Sequence, residues 1–103
     1  MLRLVYFPSP GRAEAIRIAL SLSGADWEDV SIDGATFQAM KGAGELPWEM
    51  VPVLQTPDGT IAESSAILRY AGRMAGLVPE DPYQSAKADE FIEGGASGLK
   101  AAE

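Results

Sequence analysis

The chain contains no cysteine and no histidine among its 103 residues. Without cysteine there is no disulfide and no thiol nucleophile. Without histidine there is no Ser-His-Asp chemistry, and without both there is no ordinary zinc site, so no metal is expected. The lack of cysteine fits a reducing compartment, and a cytoplasmic location is expected. Basic residues are scarce too: 8 Lys and Arg stand against 15 Asp and Glu, for a net charge of −7. That balance argues against nucleic acid and anionic membrane surfaces as partners. No run approaches the ~18 apolar residues needed to span a bilayer. The first residues have a strand-like pattern and lack a signal peptide's basic, apolar and small-residue layout.

What is present suits one domain with a modest core. Leu2, Leu4 and Tyr6 alternate with Arg3, Val5 and Phe7, a strand pattern. Pro8-Ser9-Pro10-Gly11 is a loop by composition. From Arg12 to about Ser23 the pattern is helical, with Ile16, Ala19, Leu20 and Ser23 on one face and Gly24 as its stop. Trp27 to Ile32 is a second strand, so the first thirty-odd residues form a βαβ unit, whose crossover should be right-handed. Residues 35–41 suggest a short helix.

The most informative stretch is Met50 to Tyr70, M-V-P-V-L-Q-T-P-D-G-T-I-A-E-S-S-A-I-L-R-Y. Val53 and Leu54 begin a strand, Pro57-Asp58-Gly59 is a turn, and Thr60 to Ala62 return as the second strand of a hairpin. Glu63-Ser64 opens a helix running from Ser65 to Ala75, with Ile67, Tyr70, Ala71 and Met74 on one face. A serine there can cap free N–H groups, and the same helix N-terminus suits an anion. Pro52 heads a strand that reads as buried, although proline cannot donate to a ladder. The Val51–Pro52 bond is therefore expected to be cis. Beyond Asp81 another helix is expected, broken by Gly94-Gly95-Ala96-Ser97-Gly98.

V-P-V-L followed by E-S-S-A-I-L-R-Y resembles the glutathione-binding half of a glutathione transferase. The resemblance implies an α/β, thioredoxin-like fold of order βαβ–α–ββα, with a four-stranded mixed sheet flanked by helices. It covers about residues 2 to 93. Residues 1–80 correspond to the N-terminal domain, and 81–103 to a linker and the truncated start of a helical domain. L-V-Y-F-P-S-P-G-R-A-E-A-I-R resembles the tyrosine-type classes, sigma above all.

Several roles are implied by this resemblance alone. Tyr6 is the catalytic tyrosine and Arg12 the loop arginine near the tripeptide. Pro52 is the cis-proline. Glu63 and Ser64 hold the γ-glutamyl end of glutathione, the thiol substrate. Val51 pairs through its backbone with the cysteinyl part. Lys41 meets the glycyl carboxylate, or is a solvated helix charge. Met50 falls in the binding stretch, but Trp48-Glu49-Met50 replaces the usual aromatic-Gly-Lys/Gln. Trp48 is a core or partner-facing aromatic, or a ligand contact. Asp89 reaches across a dimer to the γ-glutamyl amine, or is a solvated charge. Phe37 stands where a tryptophan is usual.

The implied chemistry needs no histidine. A free thiol has a pKa of about 8.5, so little of it is thiolate at neutral pH. A hydroxyl that donates a hydrogen bond to sulfur favours the charged form. Lowering the pKa by about two pH units requires about 2.7 kcal/mol, within reach of one or two well-aimed donors in a dry site. The expected function is glutathione binding and, if active, addition of its thiolate to soft electrophiles. The alternative is a non-catalytic scaffold or subunit of a larger complex. Ile18, Leu22 and Leu68 lie off the core-facing stripes and are apolar. A homodimer or larger assembly is therefore expected over the outer faces of helices 12–23 and 65–75.

Overall fold

The computed structural model describes residues 1–102. Four strands form one mixed sheet in the order β2-β1-β3-β4: β1 Leu2–Tyr6, β2 Trp27–Ser31, β3 Val53–Thr56 and β4 Gly59–Ala62. Strands β1 and β2 run parallel, which demands a crossover, and helix α1 (Glu14–Ser23) supplies it. The pairs β1/β3 and β3/β4 are antiparallel. Helix α2 (Gly34–Gly42) follows β2, α3 (Ser64–Met74) follows β4, and α4 (Pro82–Ala102) follows α3. This is the thioredoxin-like order that the sequence predicts.

Leu54 is the centre of the sheet. It pairs with Leu4 on one side and Ile61 on the other, and it is fully buried. Ile16 and Leu20 of α1 and Ile67 and Ala71 of α3 are buried in the same core, and the two helices pack against each other. Each fully buried Leu or Ile contributes about 1.5–3 kcal/mol, so this cluster is the main source of cohesion. Helix α2 has no buried residue, and it joins the core only through half-buried Phe37 and Met40.

Three expectations need correction. The helix predicted from Arg12 begins as a 3-10 turn, Gly11–Ala13, and becomes α-helical only at Glu14. Met74 does not join the core but is exposed, as the last residue of the helix. The break expected at Gly94 to Gly98 is absent: α4 continues through it. An interior glycine costs a helix about 0.5–1 kcal/mol each, a penalty that weakens a helix without forbidding it.

Local capping follows the sequence closely. Gly24 adopts φ 75° at the end of α1, a left-handed conformation that glycine takes without a Cβ clash. At the other cap, the Asp33 carboxylate accepts a 2.7 Å bond from the Thr36 N–H at the start of α2. That backbone bond holds the Asp33 pKa below its ordinary value. A depressed carboxylate contributes stability above its unfolded-state pKa and loses it as pH falls through the folded one. Asp33→Ala should therefore lower the thermal midpoint at pH 7, and the gap from the parent should close on acidification through that range. Thermal unfolding across a pH series checks this, and a gap that persists unchanged in strong acid would contradict it.

Candidate functional site

The site forms where β1 ends and β3 begins. Antiparallel pairing aligns Val5 with Val53, so Tyr6 at the end of β1 lies beside the chain entering β3. The ladder starts at Val53, which leaves Val51 and Pro52 outside it. Both are buried, and the bond between them is cis. A cleft of about 160 Å³ opens there, lined by Arg12, Trp48, Met50, Val51, Pro52, Ala62, Glu63 and Ser64. Seven residues singled out in the sequence thus meet on one surface, although they come from three separated stretches.

One wall is the start of α3. The first intrahelical bond runs from the Ile67 N–H to the Glu63 carbonyl at 3.0 Å. The N–H groups of Ser64, Ser65 and Ala66 precede it, and such groups have no partner within a helix. Ser64 is the first helical residue, so its expected role as a side-chain cap is not realised. The cap position belongs to Glu63, which makes no side-chain cap bond. Its backbone is also unusual for a cap, at φ 74° and ψ 119°. Glu49, next to Met50, is also at positive φ, 57°. Such conformations cost non-glycine residues about 1–3 kcal/mol each and cluster at ligand clamps. Among the described residues these are the two non-glycine positions at positive φ; Glu63 lines the cleft, and Glu49 lies between two residues that do, Trp48 and Met50.

Tyr6 lies deeper, 8% exposed, and does not line the cleft itself. Its hydroxyl oxygen accepts a long bond, 3.4 Å, from the Arg12 N–H. An oxygen held as acceptor by the backbone keeps its own O–H available as a donor. Gly11 makes this possible. It sits at φ 38°, and a Cβ there would lie 2.6 Å from the Tyr6 hydroxyl.

Other predicted residues lie elsewhere. Lys41 is on α2, its ammonium 5.8 Å from the centre of the Phe37 ring. Asp89 is on α4 and accepts from Arg69 Nε at 2.8 Å, while Glu93 pairs with the same guanidinium. The hydrogen bonds from Arg69 to Asp89 and then Glu93 raise the Arg69 pKa and tie α4 to α3. Neither Lys41 nor Asp89 reaches the cleft. Trp48, left open by the sequence, is on its rim and 69% exposed. Ala62 was not anticipated. Its only signal was its place immediately before Glu63.

Residues 2–73 match the family model described as glutathione S-transferase, N-terminal domain. The chain belongs to the glutathione S-transferase family. It is 34% identical over 91 residues to hematopoietic prostaglandin D synthase of Gallus gallus, covering 88% of this chain and 45% of that protein. Over the same length it is 32% identical to glutathione S-transferase P of Homo sapiens, covering 43% of it. The chain thus spans less than half the length of these relatives. Among solved structures, a monomeric glutathione S-transferase of Necator americanus superposes with a TM-score of 0.86 at 27% identity, covering 96% of this chain and 47% of that one. Prostaglandin synthase D of Nilaparvata lugens gives 0.81 at 31%, covering 90% and 46%. The residues matched by the family model run from β1 to the last turn of α3 and include every residue that lines the cleft.

Gly11→Ala tests the close approach to Tyr6. The substitution adds strain at positive φ and drives a methyl into a buried hydroxyl, so stability should fall by about 1–3 kcal/mol. Urea unfolding measures the loss. A variant as stable as the parent would show that the loop can step aside freely.

Proposed function

We propose that the cleft binds glutathione and that Tyr6 promotes its thiolate for addition to a soft electrophile. The observation that carries this reading is the convergence of Val51-Pro52, Glu63-Ser64 and Arg12 on one cleft beside the Tyr6 hydroxyl. The free N–H groups at the start of α3 suit the γ-glutamyl carboxylate, with Ser64 adding a hydroxyl. Glu63, on the same rim, suits the γ-glutamyl amine by charge. The backbone of Val51, outside the ladder, can pair with the cysteinyl unit as an added strand would. Arg12 supplies positive charge at the cleft, and Met50 and Trp48 give it an apolar rim.

Lys41 and Asp89 have smaller parts in this reading. Lys41 would meet the glycyl carboxylate only if its side chain left the Phe37 ring. Asp89 would serve the cleft of a second copy, and within its own chain it holds Arg69. The acid–base step is a single transfer. The glutathione thiol loses its proton to solvent, and the Tyr6 O–H donates to the sulfur anion that remains. Tyr6 itself stays protonated throughout, so no neighbouring base is needed.

A second reading, a non-catalytic subunit of an assembly, is favoured by one observation. Ile18 and Leu22 are 57% and 64% exposed on the outward side of α1. Their spacing of four places them on one face. Leu68, expected on the outer face of α3, is instead half-buried against the core, so the exposed apolar face is that of α1, and a homodimer or larger complex over it would cover Ile18 and Leu22. The two readings are compatible, because neither Ile18 nor Leu22 lines the cleft.

Tyr6→Phe separates binding from activation. The ring still packs and the hydroxyl is gone. Calorimetric titration should show glutathione binding to both parent and variant. The thiolate absorbance of bound glutathione, followed against pH, should shift to higher pH by about one to two units in the variant, the worth of one donor. An unchanged curve would reduce Tyr6 to a strand aromatic. A parent that binds no glutathione but self-associates would favour the second reading.

A further inference from the structure

Away from the cleft, a half-buried ion pair centres on Arg17, whose side chain is 15% exposed. Its surroundings go well beyond a surface charge. Nη1 donates to the Ser9 carbonyl at 2.8 Å and lies 3.5 Å from the Pro10 carbonyl. Nη2 donates to the Phe7 carbonyl at 3.4 Å. Nε stands 3.0 Å from Asp29 Oδ2 on β2, and Glu14 Oε1 is 3.7 Å from Nη1. The guanidinium carbon lies 5.9 Å from the centre of the Tyr6 ring.

The three carbonyl contacts collect the loop between Tyr6 and the 3-10 turn. Phe7, Ser9 and Pro10 are all that separates Tyr6 from Gly11 apart from Pro8, and Arg17 holds the carbonyl of each. Phe7 is also held by its ring, which packs against Phe37 and the core, but Ser9 and Pro10 have no such anchor. The loop's internal bonds are Ser9 N–H to the Phe7 carbonyl at 2.8 Å and Ala13 N–H to the Pro10 carbonyl at 3.2 Å. Pro8 and Pro10 have no N–H to give. Where the loop ends decides where Gly11 and the Arg12 N–H stand, and those two groups set the position of the Tyr6 hydroxyl. A guanidinium spreads five donors over a rigid planar fork, whereas an ammonium offers three from a single point and cannot span the same carbonyls and carboxylate in one fixed geometry.

We propose that Arg17 is a positioning residue for this site: it clamps the Phe7–Pro10 loop so that Gly11 and the Arg12 N–H hold the Tyr6 hydroxyl as an acceptor from the backbone and a donor to the substrate sulfur. Asp29 and Glu14 serve the clamp by balancing its charge and fixing its reach from β2 and from α1. Arg17 does not line the cleft, so its effect runs through Tyr6 and not through ligand contact. The consequence for the thiol rests on the function proposed above. The clamp itself does not.

The experiment therefore has two readouts. In the unliganded chain, amide hydrogen exchange of Ser9, Arg12 and Ala13 reports the loop directly. Arg17→Met keeps the stem and removes the fork, and exchange at these amides should quicken by about tenfold or more while amides in β3 and α3 keep their rates. Arg17→Lys keeps the charge without the fork and should quicken the same amides, which also covers the case in which Arg17→Met does not fold. In the glutathione complex, the pH at which the bound thiol ionises should rise in the folded variant by about one unit, a tenfold loss of thiolate at fixed pH, with affinity changed less than threefold. Parent-like exchange in the folded variant would overturn the clamp. Faster exchange with an unmoved thiol titration would overturn its action through Tyr6. A parent that binds no glutathione defeats the proposed function, and the exchange rates still decide the clamp.

Discussion

The antiparallel register of β1 with β3 is the constraint on which the rest depends. Val5 opposite Val53 places the end of one strand beside the head of the other. A slip of one residue would turn Leu54 out of the core and move Tyr6 away from Val51-Pro52, because strand side chains alternate with a period of two. Leu54, packed between Leu4 and Ile61, makes that slip costly. The core and the cleft are in this sense one design. Burial at the centre of the sheet fixes the register, and the register brings the site together at the sheet's end.

Around the cleft the chain departs from local rules that it obeys elsewhere. Asp33 caps α2 with its side chain, and Gly24 closes α1 in the left-handed region, both as their residue types prefer. At α3 the cap position is instead a glutamate at φ 74° with no side-chain bond. Glu49 shows a similar departure. Uncapped N–H groups at a helix start are a cost when nothing occupies them and an asset when an anion does. The local conflict is thus confined to the surface where a ligand would resolve it. The elements away from the cleft carry the stability.

Much of this was legible in the sequence, and the reasons differ by residue. Leu2, Leu4, Ile16, Leu20 and Ile67 declare their burial by periodicity, which needs no knowledge of partners. Pro52, Glu63 and Ser64 stood out because their types fit poorly or pointedly at the edges of regular elements. The positive φ of Glu63 was not legible, since nothing in a glutamate signals it. Arg17 was invisible for another reason. In sequence it is one more charge on a helix, and its value comes from three loop carbonyls and Asp29, which only folding brings to it. The ion pairs of Asp89 and Glu93 with Arg69 were hidden likewise, by a sequence separation of 20 or more residues. The glycine run near residue 95 misled because composition weighs each residue singly, whereas a long helix is cooperative.

The central claim is that one cleft, built from the head of β3 and the start of α3, receives glutathione. Amide chemical shifts recorded during a glutathione titration test it most directly. The largest shifts are expected at Val51 and Ser64, saturating together, with Arg73 at the far end of α3 and Ser85 in the first turn of α4 unmoved. Saturable binding that leaves Val51 and Ser64 in place, or shifts them only at concentrations where all surface amides move, would contradict it.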